Sequence, residues 1–428
     1  MSRTRTLIGD HRLSPSTLMM SYGFDPKLSE GAIKCPIFQT STFAFESAAA
    51  GKSAMQLAYG LRERKPAEDP SLIYSRINNP TLEILEDRLT LWDGAEEALV
   101  FASGMAAIST TILSFARPGD VIAYGRPVYG GTDYLFEKLL PLFGIRAISF
   151  QAEASEAEVQ DVLRSGVERY AGNGRVPIIF AETPANPTNK LVDLAMLARV
   201  ANDLADQPGG RPKLIVDNTM MGPLWQRPLD HGVDVSVYSL TKYVGGHSDL
   251  VAGSCLGKKE DLASIRGFRT ILGSMLDPHT AWLLLRSLET LSLRMRKAEA
   301  SARDVAAFLR DHPKVESVSY LGFLDPDSEQ GRIFARQCLG SGSTFSIILK
   351  GGEPESFRLL DALKLVKLAV SLGGTESLAS YPFGMTHVDV DEATKLATGI
   401  LPSLVRLSIG VEEPEDLIAD FAQALDQV

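Results

Sequence analysis

Cysteine is scarce: Cys35, Cys255 and Cys338 are the three in a chain of 428 residues. The count is odd and no pair has CxxC or metal-type spacing. That argues against a disulfide framework and fits free thiols in a reducing compartment. The six histidines do not cluster, so no metal site is expected. No apolar run reaches about 18 residues, so no spanning helix is expected. The opening MSRTRTLIGDHRL lacks an apolar h-region, so no secretory signal is expected and the cytoplasm is the default compartment. Positive charge is also short: 43 Lys and Arg face 53 Asp and Glu, a net −10. A nucleic-acid or anionic-membrane surface is therefore disfavoured. The chain has no GxGxxG after a strand, no GxSxG and no HExxH. Gly51-Lys52-Ser53 imitates a Walker A loop, but that loop needs a glycine where Glu46 stands.

What is present is ordinary globular chemistry, with 45% apolar and 22% charged residues. Residues 1–78 read as an N-terminal arm carrying one exposed loop, LRERKPAEDP (61–70). From about residue 80, strands and helices alternate. Helical spacing in TLEILEDRLTLWDG stops at Gly94. EALVF (97–101), VIAYG (121–125), IRAISF (145–150), VPIIFAET (176–183), KLIVDNT (213–219) and VDVSVYSL (233–240) read as strands, with helical segments between them. Such alternation predicts an α/β domain over 79–290, with a mainly parallel sheet covered by helices on both faces. One long amphipathic pattern from about 278 reads as a connecting helix into a smaller α+β domain (291–428). That domain has strands at STFSIILK (343–350) and VRLSIG (405–410).

In open α/β sheets, ligands bind outside the carboxyl ends of the strands. Those ends carry Ser103, Glu182, Asp217 and the stretch from Ser239 to Lys242. A lysine at a strand end is usually a surface lysine. Lys242, however, ends a buried strand among small and hydroxylic residues. Desolvation there lowers its pKa and makes the amine a nucleophile for a carbonyl cofactor. Asp217 is either a turn aspartate or a buried carboxylate facing a cationic ring nitrogen, the partner that makes pyridoxal phosphate an electron sink. Ser103-Gly104-Met105 opens a helix, where backbone N–H groups bind phosphate; the plainer role of Ser103 is an N-cap. Ser239 and Thr241 offer hydroxyl donors. Tyr129 heads the next helix.

These residues carry a resemblance. SGM (103–105), VYGGT (128–132), ETPANPT (182–188), VDNT (216–219) and SLTKY (239–243) resemble the cystathionine γ-synthase/methionine γ-lyase family of pyridoxal-phosphate (PLP) enzymes. IYSRINNPT (73–81), SLGGTESL (371–378), MTH (385–387) and VRLSIGVE (405–412) extend the likeness to about 31–425. The resemblance implies PLP fold type I, the aspartate-aminotransferase-like fold with a large seven-stranded-type sheet. It also implies a homotetramer built as a dimer of dimers. Lys242 would then be the Schiff-base lysine and Asp217 the partner of the pyridine nitrogen. Tyr129 would stack on the ring and move protons. Gly104, Met105, Ser239 and Thr241 would hold the phosphate, with Tyr74 and Arg76 reaching the neighbouring subunit's cofactor. Arg406 would fork onto the substrate carboxylate, assisted by Ser371 and Asn186.

The implied reaction is γ-elimination from a γ-substituted amino acid, giving a 2-oxo acid and ammonia. The alternative is γ-replacement by a transferase of the cystathionine γ-synthase or O-acylhomoserine sulfhydrylase kind. A third reading, a silent cofactor-binding relative, is opposed by the intact Lys242, Asp217, Arg406 and Tyr129. Family members that handle cystathionine often carry a glutamate where this chain has Val370, so a methionine γ-lyase-like member is favoured. Three departures bear on the substrate. Gly131 stands where methionine γ-lyases often have cysteine, Arg269-Thr270 replaces a Lys-Asp pair, and the 61–70 loop is longer. Methionine, homocysteine and canavanine are the expected substrate types.

Overall fold

The computed structural model describes residues 6–65, 68, 71–170, 172 and 175–428. A two-residue ladder, Leu7–Ile8 (β1) with His11–Arg12 (β2), opens it. The main sheet is built from Glu97–Phe101 (β3), Val121–Arg126 (β4), Arg146–Gln151 (β5), Ile178–Glu182 (β6), Lys213–Asp217 (β7), Val235–Ser239 (β8) and Gly253–Gly257 (β9). Its order is β3-β9-β8-β7-β6-β4-β5. Strands β8, β7, β6, β4 and β5 run parallel, while β9 is antiparallel to both β3 and β8.

The central strands are apolar on both faces because both faces are covered. Ile178 and Phe180 enter one core with Leu99, Phe101, Ile112 and Val237. Their neighbours Ile179 and Ala181 enter another with Val159, Leu197 and Val216. Period-two alternation thus divides one apolar run between two helical layers. Each large side chain so buried contributes roughly 1.5–3 kcal/mol.

Three elements depart from the sequence reading. Strand β9, GSCLG, lacks the β-branched residues that mark a strand. A Cβ on its Gly253 would sit 2.2 Å from the Ser103 carbonyl oxygen, so packing excludes a side chain there. The N-terminal arm contains a helix, Ala48–Ala58, capped by the Ser47 hydroxyl on the Ala50 N–H. Only Gly51 and Ala54 of this helix are buried, so it shows little apolar periodicity. Gly51-Lys52-Ser53 lies inside it. The long pattern after 278 is two helices, Pro278–Leu288 and Leu291–Arg310. The chain breaks at Thr290, whose φ −110° and ψ 4° are not helical.

The smaller sheet consists of Val315–Ser319 (β10), Thr344–Leu349 (β11), Lys367–Leu368 (β12), Leu378–Ser380 (β13) and Leu404–Ser408 (β14), in the order β10-β11-β14-β13-β12. Its core holds Phe345, Ile347, Leu407, Leu417 and Phe421. Polar contacts fasten the two sheets' domains. The Asn189 amide donates to the Ser319 and Thr344 carbonyls, both at 2.9 Å. Among the described residues, no helix is long and apolar enough to cross a membrane.

Candidate active site

The carboxyl ends of β4, β6, β7 and β8 lie side by side, so their loops open into one region. After β8 the chain turns tightly. The Lys242 N–H donates to the Ser239 carbonyl, and the Gly246 N–H donates to the Lys242 carbonyl at 2.7 Å. The Lys242 ammonium donates to Ser371 Oγ at 3.0 Å. Burial, and then the nearby Arg406 charge, push it down to about 8; Asp217 acts in the opposite direction. Asp217 is aligned with Glu182 across β6 and with Val237 across β8. Its Oδ1 accepts from the Thr219 N–H at 3.0 Å and the Thr219 hydroxyl at 2.6 Å. Burial raises its pKa, while those hydrogen bonds and Lys242 favour the carboxylate.

Arg406 enters from β14 of the smaller sheet and is 3% exposed. Its Nη1 donates to Asn186 Oδ1 at 3.0 Å and its Nη2 to the Ser371 carbonyl at 2.7 Å. Its Nε is buried with no partner. No carboxylate pairs with it among the described residues, so it is a buried cation held by neutral acceptors. Ser371 therefore serves two cations, its hydroxyl to Lys242 and its carbonyl to Arg406. It does so at φ 119°, a conformation that costs a non-glycine residue of order 1–3 kcal/mol.

Ser103 is the N-cap of the helix Gly104–Phe115, accepting from the Ala106 N–H at 3.0 Å. Its hydroxyl proton is not used in that bond. A Cβ on Gly104 would lie 2.8 Å from the Ser239 Cβ, so glycine lets the helix start close against β8. Thr241 is more committed. Its hydroxyl donates to the Ala252 carbonyl and accepts from the Ala252 N–H.

Tyr129 is 43% exposed. Its ring lies over Gly131, where a Cβ would be 2.7 Å from the ring and 3.3 Å from the Met105 sulfur. Its N–H donates to Glu182 at 2.6 Å. Burial and the neighbouring Asp217 raise the Glu182 pKa well above the usual carboxylate range. A Cβ on Gly130 would lie 1.9 Å from the Thr386 carbonyl oxygen. Gly130→Ala should therefore lower the Tm by roughly 1–3 °C, through an overpacking cost of about 1–3 kcal/mol spread over a chain of this size. An unchanged Tm by scanning calorimetry would mean that this contact is loose.

The remaining candidates make other contacts. The Arg76 guanidinium donates to the Thr270 carbonyl at 2.6 Å and sits 5.9 Å from the Tyr74 ring centre. Among the described residues, no hydrogen bond joins either of them to Lys242. Val370 precedes Ser371 and is 58% exposed. Arg269 is structural: it pairs with Glu86 at 2.6 Å and donates to the Val100 carbonyl. The 61–70 loop lies partly outside the described residues. Its Arg62 pairs with Glu68 at 2.5 Å. His247 bonds the Gly245 carbonyl at 2.7 Å and approaches Ser287, tying the turn after Lys242 to the helix Pro278–Leu288.

A family model described as Cys/Met metabolism PLP-dependent enzyme matches residues 16–426. The chain belongs to this family. The L-methionine gamma-lyase of Pseudomonas deceptionensis is 37% identical over 415 residues, 96% of each chain. The cystathionine gamma-lyase of Bacillus subtilis is 35% identical, covering 97% of this chain and all of the relative. Among solved structures, a cystathionine gamma synthase from Xanthomonas oryzae in complex with aminoacrylate and cysteine superposes with TM-score 0.84. It is 30% identical, with 97% of this chain and 99% of that chain covered. The two-sheet architecture is that of PLP fold type I.

The PLP family's cofactor is pyridoxal 5'-phosphate, and the residues present suit it. A desolvated lysine suits a carbonyl group. A buried carboxylate held by Thr219 suits a protonated ring nitrogen. A helix N-terminus packed without a side chain against β8, with the hydroxyls of Ser103 and Ser239 beside it, suits a phosphate. The unpartnered Arg406 Nε suits a carboxylate on the amino-acid substrate.

Proposed function

We propose that this protein is a PLP-dependent γ-lyase. It removes the γ-substituent of an amino acid such as methionine, homocysteine or canavanine. With one water consumed, the products are the freed substituent, a 2-oxo acid and ammonia. The observation that carries this reading is the run of contacts from Lys242 through Ser371 to Arg406, with an exposed valine at 370 beside it. That run supports reading Lys242 as an amine base and Arg406 as the carboxylate receptor beside it. Val370 offers nothing to bind a distal ammonium, which suits a substituent without one. The relatives named as methionine gamma-lyases support the same choice.

Pyridoxal phosphate, when bound, supplies an electron sink for negative charge at the substrate carbons. Lys242 would hold it and accept the proton from Cα. Asp217 keeps the ring nitrogen protonated. Ser103, Gly104, Met105, Ser239 and Thr241 would hold the phosphate. Arg406 grips the carboxylate, and Asn186 and Ser371 fix its plane. Tyr129 would cover the ring and supply a proton to the leaving γ-substituent. In the homotetramer we infer, Tyr74 and Arg76 complete the neighbouring subunit's phosphate site. Three unpaired thiols suit work in the cytoplasm.

The second reading is γ-replacement, supported by the likeness to a synthase structure. A substrate panel separates the two: methionine, homocysteine, cystathionine, canavanine and O-acetylhomoserine, each with and without a thiol. The γ-lyase reading expects keto acid from methionine or homocysteine with no acceptor added. Product formed only when a thiol is present would replace that reading with a transferase.

A further inference from the structure

We propose that Glu182 and His387 form a two-sided clamp on the peptide unit joining Val128 to Tyr129, making both of them positioning residues for the Tyr129 ring. The two contacts fall on opposite ends of one peptide group. The Tyr129 N–H donates to Glu182 Oε2 at 2.6 Å, and the Val128 carbonyl accepts from His387 Nε2 at 3.0 Å. Glu182 ends β6 of the large sheet, whereas His387 comes from the smaller domain. The peptide plane before Tyr129 is thereby fixed by both domains at once.

The chemistry of the imidazole supports the assignment. A carbonyl oxygen only accepts, so Nε2 carries the proton and Nδ1 accepts from the Thr386 hydroxyl at 3.0 Å. His387 is buried, at 1% exposure, so this is not a solvent contact. The His387 segment is braced in turn, since the Lys395 ammonium donates to the Phe383 carbonyl at 3.1 Å. The Thr386 carbonyl reaches so close to Gly130 that only glycine fits.

Tyr129 has need of such a clamp. Its hydroxyl makes no hydrogen bond among the described residues, and the helix it heads has no side-chain cap. The next two residues are Gly130 and Gly131, which have no side chains to anchor the turn. The ring's direction is therefore set by its backbone. The role of Tyr129 on the substrate rests on the γ-lyase reading; the clamp does not.

The test combines hydrogen–deuterium exchange of residues 128–135, with and without cofactor, and steady-state kinetics of His387→Ala, His387→Gln and Thr386→Val. His387→Ala should speed exchange in that segment about tenfold and lower kcat about tenfold, with KM within about threefold. His387→Gln keeps an N–H donor of similar reach and should recover both to within about threefold. Thr386→Val leaves the tautomer unset and should speed exchange about threefold. It also covers the case in which His387→Ala does not fold. Exchange unchanged in the folded variants, or no recovery with glutamine, overturns the clamp. A wild type inactive on every panel substrate overturns the γ-lyase reading and leaves the exchange measurement decisive for the clamp.

Discussion

A Lys242→Ala protein should turn substrate over at least about 10³-fold more slowly than the wild type. It should also lack the visible absorbance of covalently held pyridoxal phosphate. The expectation rests on position. Lys242 is the buried amine that feels the charges of both Arg406 and Asp217, and the other cation here is a guanidinium, which does not give up its proton to act as a nucleophile. Lys242→Arg should fail equally, since it restores charge but not a nucleophile. The same geometry sets a pH dependence. Below about 8 the ammonium is protonated and inert, and above about 8 it is the free amine. Cofactor uptake by apo-protein should therefore rise with pH up to about 8 and then level, where an ordinary lysine would go on rising past 10. Near-wild-type turnover in Lys242→Ala would sink the assignment. A loading inflection near 10 would show instead that Lys242 is not desolvated.

Much of this site is legible in the sequence for a geometric reason. Parallel strands with helical crossovers bring all carboxyl ends to one edge. Ser103, Tyr129, Asp217 and Lys242 can thus be gathered without knowing any contact. The contacts that orient them are another matter. Glu182 is visible at a strand end, but its partner is a backbone N–H 53 residues earlier. His387 meets Val128 across 259 residues, and no local spacing announces that. The strained φ of Ser371 and the commitment of the Thr241 hydroxyl to Ala252 are also products of tertiary packing. Among fold elements, β9 escaped because packing selected small residues over strand formers. The helix Ala48–Ala58 escaped because it buries almost nothing. A motif resemblance could have flagged the glutamate before TPANP and the histidine of MTH, but not what they hold.

Arg406→Gln should raise KM for the amino-acid substrate at least about 30-fold, with a smaller effect on kcat. The guanidinium is buried in a region where its two recorded partners are both neutral oxygens. Burial lowers its pKa to about 10, yet it stays charged at neutral pH. A charge so placed gains most from an anion, and losing one partner of a desolvated pair costs about 2–5 kcal/mol, or ~30- to 5000-fold. Arg406→Lys keeps the charge but loses the fork, so it should recover only part of the loss. The substitution reaches Lys242 as well. Arg406 is one of the two influences that push Lys242 down, so its removal should move the cofactor-loading inflection upward from about 8. Burial remains, which should keep that inflection below an ordinary lysine's value. A carboxylate-free amine of the same length sharpens the test. The wild type should strongly prefer the amino acid over that amine, and Arg406→Gln should lose most of the preference. If KM stays within about threefold of wild type and the preference survives, the carboxylate is bound elsewhere. The buried Arg406 would then serve only to join Asn186 and Ser371.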